Sequence, residues 1–460
     1  MKFKNIALFL FVAFLLSGVT SQKIYSQYSE KQKTILAEKV KSEFLHAWNA
    51  YKKYAWGNDA LSPLSKTFHN WYKESLLMTP VDAFDTMILM GLTDQAKEAK
   101  ELILEKLSFD KDMRVQNFEI VIRLLGGLLS AYQWDGNPKF LELAQDLADR
   151  LMPVFNSPTG MPYGYVNLKT GQTDGKISNP AEIGTLMVEF GMLSKITGKQ
   201  IYYDKAKKAI VEMYNRRSRI GLVGSTIDIE TGEWINKKSH IAGGIDSYYE
   251  YLIKSYLLFG DKDFKKMYDE SMKAVNKYLY DENDGRFWYC VVDMDKGEKV
   301  STTFGALDAF MPAMLVLGGD LKRAKEIQRS NFLMWTLFGI EPERFNYATD
   351  SIKSTGYPLR PENIESAYYL YRSTHDEKYL MMVETYLETI IKHCKCDEGY
   401  AHLKNVETKE KDDAMESFFL AETFKYLYLT FAKESTLDLS KVVFNTEAHP
   451  FKKLFVKGKK

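Results

Sequence analysis

Cysteine is nearly missing from this chain: only Cys290, Cys394 and Cys396 among 460 residues carry a thiol. The last two are separated by a single residue, too close for an ordinary bridge, so a disulfide framework is not what stabilises the fold. No CxxC pair occurs, and His393 alone does not complete a tetrahedral set, which argues against a structural zinc site. Charge of one sign is also lacking, with 62 basic against 61 acidic residues. Without a basic surplus the chain has no electrostatic footprint for a nucleic-acid partner.

Long apolar runs are scarce. The stretch from Ile6 to Leu16 falls short of the roughly 20 residues that cross a bilayer, and no other segment could span one. Lys2 and Lys4 precede it and small residues from Ser17 to Ser21 follow, which is the layout of a signal peptide. Residues 1–21 are therefore expected to direct export, leaving residues 22–460 as one domain without a membrane span. Export with so few cysteines points to a bacterial periplasm or secretion rather than the endoplasmic reticulum lumen.

What the chain does have is a repeat. It is too long for one ordinary core, so either two domains or one large closed repeat is expected. An apolar helix, a short polar turn and an amphipathic helix recur, and the turns mark the register: MGLTDQAKEA at Gly91, DGNPKFLELA at Gly136, TGKQIYYDKA at Gly198, FGDKDFKKMY at Gly260, GGDLKRAKEI at Gly319 and THDEKYLMMV at Asp376. A seventh apolar helix, ending near Lys433, starts another unit without a full second helix. Seven units predict a closed ring of helical hairpins in which the more apolar inner helices run parallel. All their N-termini then meet at one mouth.

The inner helices begin with carboxylates: Asp82 and Asp85, Glu119, Glu182, Asp246, Glu362 with Glu365, and Glu416. Any one of these has an ordinary explanation, because an acid in a first turn complements the helix dipole by about 0.3–1 kcal/mol. Ser247 with Glu250 and Asp413 with Glu416 read as capping boxes. Glu119 is different, since it and Arg123 lie four apart in FEIVIRLLGG with no polar face to receive them, and a buried ion pair there contributes little to stability. The convergence of the whole set is what dipole complementarity leaves unexplained. Converging carboxylates raise one another's pKa and invite a cation. Sugar hydrolysis uses one protonated and one ionised carboxyl, and the remaining oxygens suit a hard ion such as calcium. Segments such as NLKTGQ, IDIETGEW and DMDKGEKV read as small β-hairpins fringing this mouth.

The strings YKKYAWGNDALSP, VDAFDTMILMGL, FEIVIRLLGGLLSAY, GGIDSYYEYLIK, YPLRPENIESAYYLYR, MESFFLAET and FNTEAHP resemble class I α-mannosidases, glycoside hydrolase family 47, from about Ala47 to Pro450. The resemblance implies an all-α fold, an (α/α)7 barrel whose C-terminal strand plugs the ring, and inverting hydrolysis of terminal α-1,2-linked mannose in a glycan or oligosaccharide. It places the catalytic carboxyls on Glu119, Asp246 and Glu362. Of these, the first two are candidates for proton donation and the third for activating water. It implies that Thr446 anchors calcium, and that Arg123, Arg360, Glu365, Glu416 and Glu447, with Glu182, line the sugar or metal pocket. A monomer is expected.

One string departs from the trimming mannosidases. Where those carry a His-led HLxCF, this chain reads TTFGALDAFMPAM, closer to the ER degradation-enhancing mannosidase-like branch. That departure keeps a non-catalytic mannose-binding protein as the alternative. Another helical-toroid enzyme, such as a polysaccharide lyase or sugar epimerase, would use His or Tyr as its base, and the motifs speak against it.

Overall fold

The computed structural model describes residues 28–454, so the expected signal peptide at residues 1–21 lies outside the described residues. Among the described residues, fourteen helices of at least eight residues form the body. They are α1 Glu30–Tyr54, α2 Met78–Met90, α3 Thr93–Lys106, α4 Gly126–Asp135, α5 Pro138–Leu151, α6 Met187–Thr197 and α7 Gln200–Asn215. The chain continues through α8 Asp246–Phe259, α9 Lys262–Tyr278, α10 Met311–Gly318, α11 Leu321–Phe338, α12 Glu362–Thr374, α13 Lys378–Cys394 and α14 Phe424–Phe431. None is long and apolar enough to cross a membrane.

The even-numbered helices form the inner ring. Each packs on the next, and α14 closes back on α2. Their sequences explain the placement: in α2 every residue but Ile88 is buried, whereas the outer α5 and α9 bury one face and leave Lys, Glu and Asp outside. The seventh hairpin is completed across the chain ends, because α1 packs along α14 as its outer partner. That is why the last repeat reads as incomplete in sequence.

Five of the six expected turns close on a left-handed glycine at the C-cap of an inner helix, from Gly91 (φ 70°) to Gly319 (φ 89°). The sixth puts His375 (φ 53°) into the same conformation at the end of α12, without glycine.

The expected hairpins form in the loops. Tyr165–Asn167 pairs with Thr173–Asp174, Thr226–Asp228 with Trp234–Asn236, and Val291–Asp293 with Lys299–Ser301, all antiparallel. The C-terminal plug is itself a hairpin rather than a lone strand, with Val442–Phe444 paired to Pro450–Lys452. Its tip enters the ring. Asn445 donates to the Ile122 carbonyl at 2.9 Å and to Glu189 at 2.8 Å, while Lys254 donates to the Asn445 carbonyl at 3.0 Å and Lys425 to that of Ala448 at 2.6 Å.

Candidate active site

Two of the inner units carry a π-helical turn, Val121–Leu125 before α4 and Phe419–Thr423 before α14. An extra residue in a turn shifts the side chains that follow it, and such turns gather at functional sites. Here they direct Arg123 and Glu422 toward the same space. The tip of the C-terminal hairpin reaches that space from below, because the backbone at Gly126 leaves room: a Cβ there would meet Asn445 Nδ2 at 2.7 Å.

The result is a cavity of about 320 Å3 at the mouth where the inner helices start. Eight carboxylates line it, Glu119, Glu182, Asp246, Glu250, Glu362, Glu365, Glu422 and Glu447, against two guanidinium groups, Arg123 and Arg360. Thr446 and the aromatic rings of Phe118, Phe310 and Phe418 complete much of the wall.

Each acid is held differently. Glu119 Oε2 accepts from Arg123 Nε at 2.9 Å, and Arg123 also pairs with Glu447 through Nη1. Arg360 is fixed by Glu343, whose Oε1 lies 2.7 Å from Nη2. Leu359, one residue earlier, adopts φ 63°, a left-handed conformation that a branched side chain rarely takes, and its carbonyl accepts from Thr423 at 2.7 Å. That strain sits directly before Arg360, Pro361 and Glu362. Glu365 accepts from Tyr426 at 3.1 Å, and Glu182 accepts from Ser178 at 2.8 Å and Gln116 at 3.2 Å.

Burial dominates the electrostatics. It pushes the Glu362 carboxyl up to about 7, against the lowering effect of Arg360, and pushes Asp246 up to about 7, with the neighbouring Glu250 adding to the rise. Glu365 and Glu447 rise for the same first cause, to about 8, and Glu422 rises well above the ordinary range. A site crowded with carboxyls near neutrality can both donate and accept protons at physiological pH.

Of the sequence candidates, Glu119, Asp246, Glu362, Arg123, Arg360, Glu365, Glu447, Glu182 and Thr446 all line the cavity. Glu416 does not. Its carboxylate turns to His69 Nε2 at 3.1 Å and Trp71 Nε1 at 2.9 Å. Asp82 and Asp85 also lie away from the mouth, in the floor, where His449 Nδ1 contacts Asp85 at 2.7 Å and Lys425 pairs with Asp85 at 2.6 Å.

The two capping boxes are not formed either. Asp246 receives the Ser247 N–H at 2.8 Å, Glu250 is drawn to Lys254 and Thr446, and Asp413 binds the N–H groups of Leu64 and Ser65. Glu250 and Glu422 are the site residues that sequence reasoning missed. Glu422 had a visible signal: like Glu119, it stands in an apolar run, FFLAETF, that offers it no polar face.

The residues present suit a hard cation. Glu362 Oε2 is buried without a hydrogen-bond partner, and Thr446 Oγ1 lies 3.1 Å from Glu250 Oε2. The donors are all oxygen, which fits calcium far better than a soft metal. Among the described residues no three His, Cys, Asp or Glu side chains are grouped as a ready metal cage. An ion here would therefore lean on Thr446, water and ligand hydroxyls.

Known proteins agree with this construction. The chain is 38% identical over 435 residues to alpha-mannosidase I MNS4 of Arabidopsis thaliana, covering 90% of this chain and 69% of that one. It is equally 38% identical to ER degradation-enhancing alpha-mannosidase-like protein 2 of Mus musculus, covering 90% and 77%. The alpha-1,2-mannosidase from Trichoderma reesei superposes with a TM-score of 0.86 at 29% identity, over 91% of this chain and 99% of that one. Cellobiose 2-epimerase from Bacillus thermoamylovorans shares the fold alone, at a TM-score of 0.57 and 11% identity. The profile of glycosyl hydrolase family 47 matches residues 43–453, and the chain belongs to that family.

Proposed function

We propose that this protein is a calcium-dependent hydrolase that removes terminal α-1,2-linked mannose from an oligosaccharide or glycan with inversion at the anomeric carbon. The convergence of Glu119, Asp246 and Glu362 with two arginines in one cavity carries the reading. The names of the relatives and of the Trichoderma structure support the substrate class.

In this reading Glu119, oriented by the Arg123 Nε–H, donates the proton to the departing glycosidic oxygen. Asp246 is the second candidate donor, directly or through one water, because its burial keeps a proton available near neutrality. Glu362 accepts the proton of the attacking water from the far side of the ring. Arg360, pinned by Glu343, supplies positive charge beside Glu362 and favours its ionised form. Phe118, Phe310 and Phe418 give apolar faces for the sugar ring to rest on.

Thr446 would hold calcium through its hydroxyl and carbonyl, with Glu250 in contact with its hydroxyl and Glu365 and Glu447 lining the same cavity. When bound, such an ion supplies charge that engages the mannose hydroxyls and favours the distorted ring on the way to an oxocarbenium-like state. Export, with residues 1–21 as a signal peptide, belongs to the same proposal and is checked by N-terminal sequencing of the mature chain.

The test is release of mannose from α-1,2-mannobiose by purified mature protein. Release with calcium and loss of release with a chelator is the expected pair of results. Binding of the disaccharide without release would replace hydrolysis by glycan recognition, the reading favoured by Leu307 and Phe310 standing on the cavity wall within the departed ALDAF string.

A further inference from the structure

Glu416 lies outside the cavity, yet Trp71 connects it to Arg123 on the cavity wall. Its Oε2 accepts the indole Nε1–H of Trp71 at 2.9 Å, and its Oε1 meets His69 Nε2 at 3.1 Å. The Trp71 ring faces the guanidinium carbon of Arg123 at 5.0 Å, and the Phe418 ring faces the same carbon at 5.6 Å. Arg123 in turn donates to Glu119 at 2.9 Å and pairs with Glu447.

Trp71 is hydrogen-bonded at both its backbone and its indole. Asp59 accepts its backbone N–H at 3.0 Å, and Glu416 is the side-chain hydrogen-bond partner that fixes the indole. Glu416 is itself anchored between distant parts of the chain: the Met415 N–H donates to the Leu61 carbonyl at 3.0 Å, and Asp413 accepts from the Leu64 N–H at 2.7 Å. A guanidinium is attracted to an aromatic face only when the ring is presented to it, so the orientation of the indole matters to Arg123.

We propose that Glu416 is a positioning residue: by fixing the Trp71 indole against Arg123 it sets the orientation of Arg123, and through it the carboxyl of Glu119. The kinetic part of this inference rests on the hydrolase reading; the part about Trp71 does not. Misplacing a catalytic carboxyl by even about 1 Å costs up to roughly 100-fold in rate. Loss of the acceptor should therefore show in kcat rather than in KM.

The experiment compares Glu416→Ala with Glu416→Gln, which retains an oxygen to receive the indole N–H. Glu416→Ala should lower kcat on α-1,2-mannobiose by about 10- to 100-fold with KM within about twofold, and Glu416→Gln should recover most of it. In protein labelled with 5-fluorotryptophan, the fluorine line absent from W71F should be sharp in wild type and in Glu416→Gln, and shifted or broadened in Glu416→Ala. Should Glu416→Ala not fold, Trp71→Phe, which keeps a ring and removes the donor, should show the same fall in kcat.

Wild-type kcat in Glu416→Ala, an equal loss in Glu416→Gln, or an unmoved Trp71 line overturns the proposal. A wild type that releases no mannose while the Trp71 line still responds to Glu416→Ala counts against the hydrolase reading and leaves the positioning of Trp71 standing.

Discussion

Arg123 and Glu447, 324 positions apart in the chain, form a buried pair in the wall of the cavity. This pair joins the π turn ahead of α4 to the tip of the C-terminal hairpin. It fixes that wall at the point where Glu119 is also held. Both side chains are under a tenth exposed, and removing Arg123 takes the shared cationic partner from Glu447 and Glu119 together.

The Arg123→Met variant should accordingly lose about 3–5 kcal/mol of stability, along with all turnover. Urea denaturation with and without Glu447→Gln checks the coupling. The double variant should lose less than the sum of the two single losses.

Gly126 meets the hairpin tip with no space to spare, since a Cβ would lie 2.7 Å from Asn445 Nδ2 and 3.1 Å from His449 Cδ2. Gly126→Ala is expected to destabilise by about 1–3 kcal/mol, as overpacking does, and to weaken calcium dependence by displacing Thr446. Thermal unfolding and calcium titration of activity measure the two effects separately. Gly127→Ala should destabilise with a smaller calcium effect, because its Cβ would meet Val81 Cγ1 at 2.7 Å and touch the tip only at His449 Cε1, 3.2 Å away, leaving Asn445 unpressed.

Stability without calcium should fall as pH rises from about 4.5 toward 8. Glu362 and Asp246 are both raised to about 7 in the folded protein, from 4.5 and 3.8. Within that window the folded state binds more protons than the unfolded state. The stabilisation is therefore complete below the unfolded pKa and is lost as pH passes the folded one. Each group contributes on the order of 3–4 kcal/mol. Denaturation of chelated Glu362→Gln across pH should show a visibly shallower slope than wild type, and an identical slope would contradict the assignment.

Glu119→Gln and Glu362→Gln should both fold and should each lose roughly 100- to 10,000-fold in kcat/KM on α-1,2-mannobiose. Asp246→Asn separates the two donors. If Glu119 is the donor, Asp246→Asn should retain more activity than Glu119→Gln, and the reverse order would transfer the role to Asp246.

The barrel was legible because its signals are local. Left-handed glycines close five of the turns, the apolar inner helices differ plainly from the amphipathic outer ones, and Glu119 with Arg123 at four-residue spacing form the pair their sequence suggests. What escaped depends on contacts between distant segments. The partner of α14 is α1, from the opposite end of the chain. Glu416 and Glu422 stand six residues apart in one motif, but Glu416 precedes the helical turn that begins at Phe418 and binds Trp71, whereas Glu422 sits within the π turn Phe419–Thr423 and faces the cavity. Helical spacing assumes 3.6 residues per turn, so a π turn defeats it. Asp82 and Asp85 were expected at the mouth because they lie near a helix start; His449 and Lys425, supplied by the C-terminal part of the chain, instead hold Asp85 in the floor.

Hydrolysis by opposed acid and base carboxyls inverts the anomeric carbon, and proton NMR of α-1,2-mannobiose during its first turnovers by the mature, calcium-loaded protein reads that outcome. β-Mannose should appear first and only then equilibrate with the α-anomer. Release of α-mannose first would contradict the inverting assignment of Glu119 and Glu362, and no release at all would contradict the hydrolase itself.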